Sequence, residues 1–382
     1  MRKGRDTGKR LLVRLLGQDR TQGAAIPVFA VLLSLFAGAL IVLLQGKNPF
    51  LAYMNLLQGS GLLPKESYAG YKSMLTDFTS FLNAWTPMLF ASLSVAVALH
   101  AGLFNIGVAG QMLTAGFVAT LFVGYSALPA AVARPLVILC GILTGMLLGA
   151  FVGFLKYRFN INEVVSTIMI NYIAQYVISF FINTYYVNPV SRQSRPVSPS
   201  ARLTLMDTPV GNLKMDIPLG ILLAIAAAFL IRFLLERTCF GFEIKSVGFS
   251  RNAARYAGIN VGKNLLMAMA VSGALAGLAG VSYYLGYFGS IQPRVLPGTG
   301  FDSIAVALLA DSNPIGILFF SFFITILGKG STYMNSASGL ESEIASVITG
   351  MILLFSACNA YIRFYVNRAK LELKEERKGG ER

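Results

Sequence analysis

The longest charge-free run of the chain, Phe78 to Ala133, narrows what it can fold into more than any other feature. It is long enough for two membrane crossings at about 20 residues each. Its middle, Gly102-Leu-Phe-Asn-Ile-Gly-Val-Ala-Gly-Gln111, holds three glycines and the amides Asn105 and Gln111. Glycine loosens a helix, and an unpaired amide in hydrocarbon is costly. Polar, glycine-rich backbone at membrane depth is tolerated where it is packed in protein or lines a water-filled cavity. Two readings stand: a junction between two membrane helices in the wall of a transport pathway, or a tight cytoplasmic turn between ordinary spans.

Only 13% of residues are charged, 55% are hydrophobic, and mean hydropathy is +0.64. A soluble protein carries about 25% charge, so an all-α polytopic membrane protein is expected. Residues 1–20 form a basic leader, with Arg2, Lys3, Arg5, Lys9, Arg10, Arg14 and Arg20. Such a cluster fixes a first span with its leader in the cytoplasm and can lie on anionic lipid head groups. The membrane flank accounts for this charge, so nucleic acid is not expected as a partner. The first apolar segment is too long for a signal core, and no cleavable signal is expected. Cys140, Cys239 and Cys358 are scattered, without metal or disulfide spacing. His100, the single histidine, reads as a packed polar residue, because no Cys or second His can join it as a ligand.

Spans are expected at about 24–44, 86–104, 107–124, 134–158, 162–186, 218–232, 264–288, 314–327 and 341–362. Thr86-Pro87 would start the second, Asn162-Glu163 would cap the fifth, and Ser338-Gly-Leu-Glu341 has capping-box spacing. Asn171 falls inside the fifth, paired with a neighbouring helix or facing a pathway. Residues 46–83 and 187–217 would be external segments. Gly273, Gly277 and Gly280 would let helices approach closely. Phe301–Ala310, flanked by Pro297-Gly298-Thr299-Gly300 and Asp311-Ser-Asn-Pro314, is too short to cross regularly and reads as a buried half-helix. Eight to ten crossings follow, in three parts: a leader (1–20), a transmembrane domain (21–362) holding a cytoplasmic loop at 236–263, and a charged tail (363–382). With both termini cytoplasmic, 22 of the 32 Lys/Arg fall on the cytoplasmic side, in line with the positive-inside rule.

Chemistry is sparse. Gly258-Ile-Asn-Val-Gly262-Lys263-Asn264 and Gly328-Lys329-Gly330 both miss the phosphate-loop pattern, and metalloprotease and nucleophile-elbow motifs are missing. Asp302 and Asp311 lack the pattern of intramembrane aspartyl proteases. No enzymatic activity and no cofactor are expected. The spans lack a charged relay, so the pathway is expected to be neutral, its substrate uncharged, and its energy supplied by another chain. Ser250-Arg-Asn-Ala-Ala-Arg-Tyr-Ala-Gly258, with an N-cap serine and a closing glycine, reads as a short surface helix. It either lies on lipid or docks a soluble partner through Arg251 and Arg255, spaced one turn apart on one face.

Four stretches carry a resemblance: Leu103-Phe-Asn-Ile-Gly-Val-Ala-Gly-Gln-Met112, Asn162-Glu-Val-Val-Ser-Thr-Ile-Met-Ile-Asn-Tyr172, Ala253-Ala-Arg-Tyr-Ala-Gly-Ile-Asn-Val261 and Gly300-Phe-Asp-Ser-Ile-Ala-Val-Ala-Leu-Leu309. Over about 85–330 the chain resembles permease subunits of bacterial ABC importers for nucleosides and simple sugars, of the branched-chain amino acid/ribose-type family. The leader and the external segment resemble the larger of two paired nucleoside permeases. The position of Ala109 is usually a glutamate in that family. The resemblance implies a fold similar to the vitamin B12 importer's permease and a location in the bacterial cell membrane. It also implies three partners: an ABC ATPase, a homologous second permease in a heterodimer, and a lipid-anchored substrate-binding protein. A monosaccharide permease is the alternative, and an ATP-independent channel or carrier a further one. Asn105, Gln111, Asn171 and Asp302 are the pathway candidates; Ser250, Arg251, Arg255 and Gly258 are the ATPase-coupling candidates.

Overall fold

The computed structural model describes residues 22–341 and 343–380; the leader lies outside the described residues. Among the described residues, fourteen α-helices and one hairpin follow in order. They are α1 (Gln22–Leu44), α2 (Pro49–Gly59), α3 (Met74–His100), α4 (Val108–Ala119), α5 (Ala130–Phe159), α6 (Glu163–Phe181), β1 (Thr204–Val210), β2 (Leu213–Pro218) and α7 (Gly220–Arg237). Then come α8 (Cys239–Phe249), α9 (Arg251–Tyr256), α10 (Val261–Val281), α11 (Gly298–Leu309), α12 (Pro314–Ser338), α13 (Glu343–Ala357) and α14 (Asn359–Gly380). α4, α6 and α10 run on as π-helical turns to Gly124, Tyr186 and Phe288.

Six helices are long and apolar enough to cross a membrane; three shorter apolar ones (Val108–Gly124, Gly298–Leu309 and Glu343–Phe355) and α7 complete the expected set among the described residues. α3 and α10 form the centre, each with 78% of its apolar window buried. Their crossing is tied by two serines: Ser94 Oγ donates to the Ser272 carbonyl (2.7 Å) and Ser272 Oγ to the Ser94 carbonyl (2.8 Å). α5 packs on α10 in the most extensive helix pair of the bundle. The expected close approach explains it. Gly141, Gly145 and Gly149 face Gly273 and Gly277, and a Cβ added at Gly277 would stand 1.9 Å from the Gly141 carbonyl oxygen. Small-residue rows of this kind let membrane helices meet backbone to backbone.

Several expected boundaries are corrected. Thr86 is no cap: α3 starts at Met74, and Thr86 Oγ1 bonds the Leu82 carbonyl one turn back. α12 runs past Leu327 to Ser338, and Ser338 closes that helix instead of opening a capping box, with Gly339 left-handed behind it (φ 62°). The polar segment 187–217 contains the hairpin, turning at Gly211-Asn212, and Thr204 Oγ1 ties it to Asn83 of α3 (2.9 Å). The Asn162 cap holds: its Oδ1 accepts the Val164 amide, and Glu163 pairs with Lys156 at 2.8 Å. His100 is a packed polar residue, its Nε2 3.1 Å from the Ser312 carbonyl.

Candidate functional site

The chain turns at Gly102 (φ 66°), where α3 ends beside Gly248 of α8, and the residues after it run back into the bundle. Asn105 bonds Ser272, a central residue of α10, and Gly280 of α10 lies against the backbone of Met112. α4 therefore begins level with the middle of α10, as a half-helix. α11 is a second half-helix, and the two starts meet: a Cβ on Gly300 would stand 2.7 Å from Cα of Ala109. Small residues on both sides allow this approach, with fully buried Ala109 at the position where the resemblance expects glutamate.

Three of the four expected pathway residues come together here. Asn105 Oδ1 accepts the Gly107 amide (3.1 Å), and its Nδ2 donates to Gln111 Oε1 (3.1 Å) and Ser272 Oγ (3.0 Å). Asn171, from α6, accepts the Gly110 amide at 2.7 Å and donates to the Ile106 carbonyl at 3.0 Å. The side-chain oxygens thus satisfy amide groups that a helix start leaves unpaired. All three side chains are buried; Gln111 Nε2 alone in this network has no partner among the described residues.

Asp302, just past the first turn of α11, lines a cavity of about 340 Å³ with Thr299, Tyr283 and Tyr287 of the α10 extension, and Thr325 and Lys329 of α12. That volume lies within the ≈ 300–1,000 Å³ of small-molecule sites. Glu343 and Ser346 of α13 stand exposed at its rim. Lys329 Nζ donates to the Tyr287 hydroxyl at 3.1 Å and stands 5.1 Å from the ring centroid. A carboxylate, an ammonium, hydroxyls and aromatic rings thus converge, where the sequence suggested a neutral lining. Lys329 was not expected in a pathway lining, because its span was expected to end at Leu327, two residues before it. Asp311, at the far end of α11, pairs with Arg363 at 3.2 Å and does not join Asp302.

At the end of the bundle beyond His100, α8 and α9 form a helical pair. Ser250 caps α9, its Oγ accepting the Ala253 amide at 3.3 Å, and Gly258 is left-handed (φ 81°). Arg251 turns inward, its Nη2 reaching the Gly102 carbonyl at 3.5 Å, whereas Arg255 is exposed. The two do not present one common face. The exposed surface instead joins Arg255 with Phe249 and Tyr256, each 94% exposed.

The sequence profile described as branched-chain amino acid transport system / permease component matches residues 78–357. The chain belongs to this permease family. It is 34% identical to the guanosine ABC transporter permease protein NupP of Bacillus subtilis, over 90% of this chain and 96% of the relative. It is 32% identical to the nucleoside ABC transporter permease protein NupB of Lactococcus lactis, over 92% and 95%. The glucose ABC transporter permease protein TsgB13 of Haloferax volcanii is 26% identical over 89% and 88%. Family and apolar helices together make the chain a multi-pass membrane permease, a transport component.

Proposed function

We propose that the chain is the permease subunit of an ATP-driven importer for nucleosides, with the Asp302 cavity on the translocation path. Similarity to two nucleoside permeases along nearly the whole chain carries this reading. The cavity suits it chemically: tyrosine rings stack on a base, while Asp302, Lys329 and Thr325 offer acceptors and donors to hydroxyls and ring nitrogens. The amides Asn105, Gln111 and Asn171 hold the start of the half-helix α4 against α10 and α6, and Gln111 Nε2 is free to donate when that contact opens. α9 docks the ATPase, with Ser250 and Gly258 bounding it, Arg255 facing the partner and Arg251 tying it to Gly102.

The orientation that fits puts both termini and α8–α9 in the cytoplasm of a bacterial cell membrane, and the hairpin outside, towards a lipid-anchored binding protein. A homologous second permease covers the exposed apolar face made by Tyr172, Tyr176 and Phe180 of α6, together with Phe288 and Phe301 beside the cavity. The test is uptake of labelled guanosine into vesicles holding the complex purified from its own membrane, with ATP inside. Saturable, ATP-dependent uptake that unlabelled nucleosides suppress and glucose does not is the expected result. The second reading, a monosaccharide permease, is favoured by the glucose relative, and the reverse competition pattern would establish it.

A further inference from the structure

We propose that the cleft between α5 and α7 binds an anionic phospholipid, its acyl chain in the cleft and its phosphate on Arg134. Both helices begin at the hairpin end of the bundle, yet they pack on other helices and scarcely on each other. Between them lies a cavity of about 200 Å³. Its walls are Pro135 and Ile138 of α5 and Leu219 and Leu223 before and within α7; Leu278 and Val281 of α10 make the floor. Beyond Arg134, Ser282 is the one polar side chain of the lining, fewer than the two to four polar partners an ordered water needs. The flanking surfaces, including Leu139 and Leu147 of α5 and Leu222 and Leu230 of α7, are exposed and apolar, so the medium at the mouth of the cleft is acyl chain.

Arg134 stands at that mouth. Its Nε donates to the Arg202 carbonyl at 3.1 Å, which fixes the guanidinium plane. No carboxylate forms an ion pair with it among the described residues. The two Nη groups therefore remain for an oxyanion, and a guanidinium fork matches phosphate in two-point geometry. A positive charge without a counter-charge, above a slot for hydrocarbon, is the complement of an anionic lipid.

The experiment equilibrates the full-length protein in nanodiscs of equal phosphatidylglycerol and phosphatidylcholine with matched chains. It then counts the lipids retained per chain by native mass spectrometry. Wild type is expected to retain phosphatidylglycerol about fivefold over phosphatidylcholine, the factor expected for one basic residue at a membrane surface. Arg134→Gln should bring the ratio near unity, and Arg134→Lys should keep most of the preference. Leu223→Trp, which fills the cleft and leaves the charge, should lose both lipids. An even ratio in wild type would overturn the proposal, as would an unchanged ratio in Arg134→Gln. Undiminished retention in a Leu223→Trp protein of wild-type gel-filtration profile would do the same and point to a shell of ordinary bulk lipid.

Discussion

Lys329 and Asp302 face one cavity from two helices without forming an ion pair, so each keeps bonding capacity for a ligand. A hydrogen bond to a charged group is worth about 1.5–3 kcal/mol, and 1.4 kcal/mol is a tenfold change in affinity. Lys329→Met and Asp302→Asn should therefore each lower nucleoside uptake by about tenfold or more, at unchanged yield of folded protein. Unchanged uptake in Asp302→Asn would reduce that carboxylate to a helix-end residue and restore the neutral pathway. Asn171 makes a different case. Asn171→Leu strands the Gly110 amide and the Ile106 carbonyl in a buried junction, at about 1–3 kcal/mol for each group. The melting temperature in detergent should fall by several degrees, and a stability equal to wild type would show that the half-helix starts need no such partner.

At the level of elements, the glycine rows of α5 and α10 give the sharpest expectation. Gly277→Val places methyl groups against the Gly141 carbonyl, where even a Cβ stands at 1.9 Å. It should abolish folded yield on gel filtration, whereas Gly350→Ala in α13, with nothing within 4 Å of an added Cβ, should not. Equal yields would mean that α5 and α10 can part without loss. The α10 glycines were legible in the sequence as a site of close helix approach, whereas the facing row Gly141, Gly145 and Gly149 of α5 and the contact of Gly280 with Met112 emerge only from the packing. Also legible were a half-helix, expected at 301–310 and found at 298–309 because the glycines read as its flank form its first turn, and the α9 cap at Ser250. The extent of α3 and α12 was not. Pro87 reads as a helix start, yet it sits inside α3, and the break that Gly328-Lys329-Gly330 suggests is overridden where Gly330 packs on the Leu56 backbone of α2. Both outcomes are set by distant partners. The hairpin had a local signal, Gly211-Asn212 in a two-residue turn, outweighed by prolines and aspartates in its strands. That Ala109 meets Gly300 is a long-range contact no local pattern encodes.

Across the whole molecule, the proposed ATPase dock and the proposed pathway are joined by a short physical route. Arg251 of α9 reaches Gly102, whose backbone also presses on Gly248 of α8, 3.0 Å from an added Cβ. Three residues on, Asn105 enters the network that fixes both α4 and α10. A displacement of α8–α9 thus moves the segment that sets the half-helix junction, and α9 must be rigid for the displacement to arrive. Ala254→Pro removes the amide that bonds the Ser250 carbonyl at 3.0 Å and forces a ring into a buried site, a change that costs about 3 kcal/mol or more in a helix. Arg255→Glu leaves the helix intact and reverses one exposed charge; losing one partner of a buried charge pair costs about 2–5 kcal/mol in a complex. In reconstituted membranes, Arg255→Glu should weaken co-purification of the ATPase by more than tenfold. Ala254→Pro should retain basal ATP turnover in whatever complex forms, but lose its stimulation by substrate and the uptake that depends on it. Wild-type assembly and stimulation in both variants would make α9 a lipid-surface helix and move the dock to the 156–163 turn, where Lys156 and Glu163 pair, or to α14.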